Sequence, residues 1–465
     1  MKTFTAKEIA SITNGTLLCG EGSTVITNIQ YDSRAVTEGS LFVPIRGAKT
    51  DPHRFIADCL QKGAAATLTE QEAPADADKP YIKVADTLTA LQKLAAAYRQ
   101  SMSLHLVGVT GSVGKTSTKE MIAAALSEGF DVMKTQGNRN SQIGLPMTMF
   151  DMEPHHEAAV IEMGMSEFGE MDKLCDIARP NIAVMTNIGK AHIENLHTQE
   201  NIRSQKLRIT KHFNDKGVLL LNGDDPLLRA LHGRMPFRTI TFGMQTDNDY
   251  YADEIQVSGF STAFTCHYNG NTCRLTIPAL GVHSIMNALA AFAVGQVLGL
   301  NEETIARGLS HYQNAPMRQQ IRDCGSFVLI DDSYNASPEA TRASLDVLKS
   351  IAKARTTAVL ADMLELGDAA AAEHYNIGKY LAAIGIDRLI AVGPLSRHTA
   401  QGAADNGCPS VQTADTNAQA YALLKDTITE GETLLVKGSR GMHTDEIVNN
   451  VQCAMCNDYK GKELT

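Results

Sequence analysis

The stretch Gly111-x-x-Gly114-Lys115-Thr116 has the residue types and spacing needed to hold phosphate. A turn with two glycines ahead of a helix exposes several backbone N–H groups, and the aligned peptide dipoles at a helix N-terminus favour anions there. Lys115 is placed to reach outer phosphates, and the Thr116 hydroxyl is a natural ligand for Mg²⁺. Ser112, Val113 and Ser117 complete the loop. The general phosphate-loop pattern wants four residues between its first glycine and the Gly-Lys pair, but Val109 holds that place and Gly108 comes one residue too early. The reading is a nucleoside triphosphate site, with an ordinary strand-to-helix turn as the alternative.

Other candidates fall near the ends of apolar runs. Glu162 follows one such run and offers a hard cation an oxygen anion near the phosphates; a merely solvated carboxylate is the bland alternative. His192 lies just beyond Thr186-Asn187 and is either structural or a ligand at the phosphate edge. His283 and Asn287, four apart, are expected to project together from one exposed helix face, to read a base edge or to cap the helix. Asp331-Asp332 either binds a metal or ribose hydroxyls, or caps the helix near Pro338. In Asp32-Ser33-Arg34, Arg34 is a cation suited to a diphosphate, or a surface arginine on a solvated turn.

These residues need rigid elements behind them. The run Leu104–Val109 reads as a strand, and Met121, Ala124 and Ala125 recur at helical spacing after the glycine turn. Residues 1 to about 100 carry short alternating segments and helical patterns, a small α/β unit. From Leu104 to about Gln313, strand-like runs at Ala158–Ile161, Ile182–Met185 and Val218–Leu221 alternate with helices, which predicts a mainly parallel sheet with its functional groups at one edge. A second alternating region, with strands at Phe327–Ile330, Ala358–Leu360, Arg388–Val392 and Thr433–Val436, predicts a Rossmann-like α/β unit. The expected division is 1–101, 102–314 and 315–465.

Composition bounds the class. The 465 residues allow several domains with real cores. Forty-two basic and 52 acidic residues give a formal charge of −10, with no basic cluster, which argues against a nucleic-acid-coating surface. No uninterrupted apolar run reaches membrane-spanning length and none near the start has signal-peptide form, so the expectation is a cytoplasmic protein without membrane insertion. Nine scattered cysteines suit a reducing compartment, and Cys453-x-x-Cys456 reads as an incidental pair.

In order along the chain, several motifs resemble the Mur ligases: Asp32-Ser33-Arg34, Thr110 through Ser117, Gly137-Asn138-Arg139-Asn140 and Glu162-Met163-Gly164. Ala191-His192, Asp332-Ser333-Tyr334-Asn335-Ala336-Ser337-Pro338, Asp362-Met363-Leu364-Glu365 and Lys437-Gly438-Ser439-Arg440 continue the series. The resemblance implies an amino-terminal UDP-sugar domain, a central ATPase domain and a carboxyl-terminal domain closing over ATP. It implies an ATP- and Mg²⁺-dependent ligase, read as a monomer, whose substrates are UDP-N-acetylmuramoyl-tripeptide and D-alanyl-D-alanine. By the same resemblance Lys115 and Thr116 hold the phosphates and Mg²⁺, Glu162 binds Mg²⁺ and His192 a second Mg²⁺. Asn287 contacts adenine, Arg318 reaches across to the phosphates, and Asp332 faces ATP. Asn138 lies near the reacting carboxylate, Lys206 carries a carbamate that holds Mg²⁺, and Ser33, Arg34 and Asn335 touch substrate. Departures from the family pattern occur at Lys206-Leu207-Arg208, His283-Ser284 and Asp51-Pro52-His53. Alternative readings are a sister ligase of another amine, including a folylpolyglutamate-type ligase, a phosphate-loop small-molecule kinase, or a nucleotide-binding module without turnover.

Overall fold

The computed structural model describes residues 1–47 and 50–462, with side chains through Cys453, so Cys456 of the Cys-x-x-Cys pair lies outside the described residues. Three sheets organise it. The first, five-stranded, runs Thr16–Cys19, Tyr81–Lys83, Ala66–Thr69, Ser40–Phe42, Asn28–Gln30, parallel except for the first pairing. Its opening helix, Ala6–Thr13, starts at a capping box in which Thr5 and Glu8 satisfy each other's backbone N–H.

The central sheet has nine strands. From Val132–Lys134 through Ala158–Glu162, His105–Thr110, Ile182–Met185, Val218–Asn222 and Arg238–Gly243 to Tyr250–Ser258, every pairing is parallel. Strands His105–Thr110 and Ile182–Met185 lie side by side although two strands and three helices separate them in sequence, so the chain reverses direction across the sheet there. Such a switch point opens a crevice at the carboxyl ends of the strands. Beyond Tyr250–Ser258 the sheet continues as an antiparallel meander, Ser261–Tyr268 and Asn271–Ile277, where strand-helix alternation had been expected. The strand Ser261–Tyr268 buries every second residue, and Asn269 and Gly270 turn the hairpin at positive φ.

The third sheet runs Gln320–Asp323, Phe327–Asp332, Glu432–Lys437, Thr356–Ala361, Arg388–Val392, Ser410–Ala414, parallel except at its first strand. Apolar clusters cover both faces.

The first two units share a core. Helix Thr87–Gln100 buries Leu91, Leu94, Ala95 and Tyr98 in a cluster that runs from Phe4 and Ile9 to Leu145, Phe150 and Leu174. The Tyr98 ring meets Phe4 and Phe150, and its hydroxyl donates to Met152 O at 2.6 Å while accepting from the Lys2 N–H at 3.1 Å. Contacts named between the central and third units are mostly polar: Lys190 pairs with Glu373 at 2.8 Å, and His192 Nδ1 lies 3.1 Å from Glu365. No helix among the described residues is long and apolar enough to cross a membrane.

Removing the Tyr98 hydroxyl strands the Met152 carbonyl between the two units. Tyr98→Phe is expected to lose about 1–3 kcal/mol of stability in urea unfolding, with the ring packing intact.

Candidate active site

The phosphate loop sits at the crevice the sheet opens. Gly114 has φ +85° and caps helix Lys115–Leu126, a left-handed conformation that favours glycine. A Cβ on Gly111 would stand 1.9 Å from Thr186 Oγ1, so only glycine lets the loop close on the next strand end. That strand end braces it: Val113 N–H donates to Asn187 Oδ1 at 2.9 Å, and Val113 O accepts from Asn187 Nδ2 and Thr186 Oγ1. Thr186-Asn187 therefore holds the loop's shape.

Cations converge on this loop. Lys115 Nζ donates to Gly111 O at 2.9 Å and to Ser112 O at 3.3 Å; Lys206, buried, donates to the same Gly111 oxygen at 2.9 Å. Desolvation lowers the pKa of both, pulling Lys206 well below the ordinary lysine range. The Lys115 charge lowers Lys206 further, whereas on Lys115 itself Glu162 partly offsets the burial and Arg318 adds to it. Arg318, on the connection into the third unit, brings Nη2 to 3.4 Å from Thr116 Oγ1.

Glu162 is buried at its strand end, with Oε2 accepting from Thr116 Oγ1 at 2.9 Å and Oε1 from Asn140 Nδ2 at 2.6 Å. A hydroxyl and a carboxylate oxygen converging beside the phosphate loop are the hard donors that Mg²⁺ takes, so this pair fits the ion. Asn140, to which sequence reasoning gave no role, sets the carboxylate's orientation. Asn138, expected near the reacting carboxylate, is an exposed loop residue whose backbone oxygen accepts from the Asn140 N–H. Both asparagines belong to one short motif, and only the folded loop distinguishes them.

The remaining candidates divide. Asn287 and His283 line the cleft but not on an exposed face: helix Val282–Val297 is enclosed, burying Ser284, Ile285, Asn287 and Ala288. Thr118 Oγ1 donates to Asn287 Oδ1 at 2.8 Å, which leaves the Asn287 amide N–H groups for a ligand. His283 pairs through Nε2 with Gln319 Oε1 at 3.0 Å, and burial lowers its pKa; neither side chain caps the helix. Asp332 does not cap the helix at Pro338 either, because Ser337 takes that place. Asp332 instead pairs with Lys437 and accepts from the Gln319 N–H and Ser344 Oγ. Asn335, exposed at the cleft, accepts from the Arg440 N–H through Oδ1. Burial also lowers the His192 pKa, with Glu365 opposing it.

The cleft so formed has a volume of about 430 Å³. Ser33 and Arg34 lie on the first unit, outside its lining. Arg34 chelates Asp32, with Nη2 to Oδ2 at 2.7 Å, and holds that carboxyl down at about 2 while its own side chain remains largely exposed. In the divergent Asp51-Pro52-His53 stretch, Asp51 accepts from the His53 N–H and faces its Nδ1 at 2.6 Å, while His53 Nε2 accepts from the Glu70 N–H.

The burial of Lys206 has a consequence for stability. Its pKa is depressed in the folded state, so the cost of the buried ammonium is full below that folded value and disappears as pH rises to the ordinary 10.5. Lys206→Met in bicarbonate-free buffer is expected to raise Tm at neutral pH, with the gap over the parent protein narrowing as pH increases.

Comparison with known proteins agrees with this geometry. Three family profiles match in succession: the Mur ligase family catalytic domain at residues 25–99, the Mur ligase middle domain at 109–295 and the Mur ligase glutamate ligase domain at 317–440. The UDP-N-acetylmuramoyl-tripeptide--D-alanyl-D-alanine ligase of Bacillus subtilis is 38% identical over 452 residues, 96% of this chain and 98% of that one. The crystal structure of MurF from Acinetobacter baumannii superposes with a TM-score of 0.89 at 30% identity, covering 97% of this chain and 99% of that one. A MurF ligase from Thermotoga maritima, solved in complex with ADP, gives 0.84 at 28% identity over 93% of this chain and 98% of that one. A chain this similar from end to end, with its phosphate loop and opposing arginine assembled in one cleft, belongs to the Mur ligase family.

Proposed function

We propose that the protein is the ATP-dependent ligase that joins D-alanyl-D-alanine to UDP-N-acetylmuramoyl-tripeptide in peptidoglycan precursor synthesis, acting as a monomer in the cytoplasm. Its working units are a UDP-sugar domain at 1–101, an ATPase domain at 102–314 and a closing domain at 315–465. The observation that carries the reading is the approach of Arg318, from the junction with the third unit, to Thr116 in the phosphate loop, within a chain that matches ligases of this activity throughout.

The chemistry follows from the charge distribution. A carboxylate is a poor acyl donor because its leaving group would be oxide, so the γ-phosphoryl of ATP is transferred to it, breaking the bond to ADP and forming an acyl phosphate. The free amine of the dipeptide then attacks the carbonyl carbon, and phosphate leaves as the amide forms with loss of a proton. Transferring the phosphoryl group concentrates negative charge on its oxygens, and fixed donors aimed there lower the barrier. The loop N–H groups, Lys115 and Arg318 are such donors. Mg²⁺ supplies charge neutralisation between phosphates, and Thr116 and Glu162 are the residues that would hold it, with His192 beside a second ion. Lys206 as an ammonium has no lone pair for a cation, but its depressed pKa favours the neutral amine, which adds carbon dioxide with loss of a proton, and the resulting carbamate would supply another oxygen anion. On this reading Asn287 contacts the adenine, Asp332 faces ATP, and Asn335, Ser33 and Arg34 touch substrate.

Phosphate release from ATP in the presence of the UDP-tripeptide is expected to depend on D-alanyl-D-alanine and to yield an amide product. Indifference to the dipeptide, or a phosphorylated acceptor without amide, would count against the reading. Lys115→Ala is expected to reduce turnover by at least about a hundredfold, the scale of losing one preorganised oxyanion donor; near-normal activity would remove the loop from the chemistry.

A further inference from the structure

Among the described residues, no carboxylate forms an ion pair with Arg318 as it enters the cleft. Its Nη2 reaches Thr116 Oγ1, while its Nε is buried without a hydrogen-bond partner among the described residues. The backbone around it is fixed at a cost: Met317 and Gln319, on either side, have φ of +59° and +48°, left-handed values that non-glycine residues rarely adopt. Four contacts enforce that shape. Asn314 Nδ2 donates to Gln319 O at 3.0 Å, and the Gln319 N–H to Asp332 Oδ1 at 3.1 Å. His283 Nε2 meets Gln319 Oε1 at 3.0 Å, and the Tyr334 N–H donates to Met317 O at 3.1 Å. None of these touches the guanidinium.

The guanidinium is held by a ring. Arg318 Cζ lies 4.1 Å from the centroid of Tyr334, and Arg440 Cζ lies 5.9 Å from the same centroid. A carboxylate in that place would fix Arg318 too, but it would occupy the N–H edge and cancel the charge that a phosphate must meet. An aromatic face attracts the cation through its quadrupole and leaves the edge free. The hydroxyl of Tyr334 makes no hydrogen bond among the described residues, so the ring is the part that acts.

We infer that Tyr334 is a positioning residue of the ligase, stacking on Arg318 so that its N–H edge faces the outer phosphates beside Thr116. The inference rests on the ligase reading for what Arg318 does, and on geometry alone for what Tyr334 does. The strained turn aims Arg318, and Tyr334 keeps its side chain there.

The experiment compares Tyr334→Phe and Tyr334→Leu, alone and combined with Arg318→Gln. It reads dipeptide-dependent phosphate release and calorimetric affinity for a non-hydrolysable ATP analogue, with thermal melts confirming folding. Tyr334→Phe is expected to match the parent within about twofold, because the quadrupole is retained. Tyr334→Leu is expected to lose about threefold to thirtyfold in kcat and in analogue affinity, the range of a partly desolvated cation–π contact. In the Arg318→Gln background the leucine substitution is expected to cost nothing further. A phenylalanine variant as impaired as the leucine one, or an undiminished leucine effect without Arg318, would overturn the inference. If the parent protein ignored the dipeptide, the ligase reading would fall while the analogue titration still decided the role of Tyr334.

Discussion

Positive charge gathered around one backbone carbonyl is the constraint on which the site depends. Lys115 and Lys206 both donate to Gly111 O, and Arg318 stands at Thr116. Glu162 is the carboxylate that faces them, and it is already held by Thr116 and Asn140. Asp332, on the third unit, is committed to Lys437. Burial in a low dielectric is the main reason both lysines lose affinity for their protons, and neighbouring positive charge, Arg318 for Lys115 and Lys115 for Lys206, adds to it. An anion entering the cleft would offset that excess of positive charge.

The fold supplies that cluster by joining its units in two ways. The first and central units share one apolar core through helix Thr87–Gln100, and parting them would expose Tyr98, Leu91 and Leu94 to water. Lys190–Glu373 and the His192–Glu365 contact link the central and third units, and a Cβ on Gly189 would come within 3.1 Å of Glu339. Partly exposed ion pairs each contribute about 1 kcal/mol or less, and Leu280 of the central unit adds an apolar contact inside a core of the third.

Much of this was legible in the sequence because backbone geometry dictates it. The glycine turn, the strand before it and the helix after it follow from φ requirements and apolar periodicity, and parallel sheets put functional groups at one edge. The side chains were harder. Asn138 and Asn140 share a motif, and only the loop's path shows that Asn140 reaches Glu162. His283 and Asn287 were expected on an exposed face, yet their helix is buried on nearly every side, so helical spacing alone could not assign exposure. Ser337 is a better cap than Asp332 by position, immediately before Pro338, and was readable as such. The antiparallel meander carries a local signal too, an Asn269-Gly270 turn between alternating runs, which the strand-helix alternation on either side of it masks. The stacking of Arg318 on Tyr334 joins the connection that enters the third unit to the loop after strand Phe327–Asp332, and no local signal encodes it.

The account holds that the cations of both units act on a phosphoryl group travelling to a carboxylate. The most direct measurement places a heavy-oxygen label in the terminal carboxylate of the UDP-tripeptide and follows it by mass spectrometry through one turnover with ATP and D-alanyl-D-alanine. The account predicts that one labelled oxygen leaves with the released phosphate, because the acyl phosphate carries it there. Label-free phosphate accompanying amide formation would contradict the account.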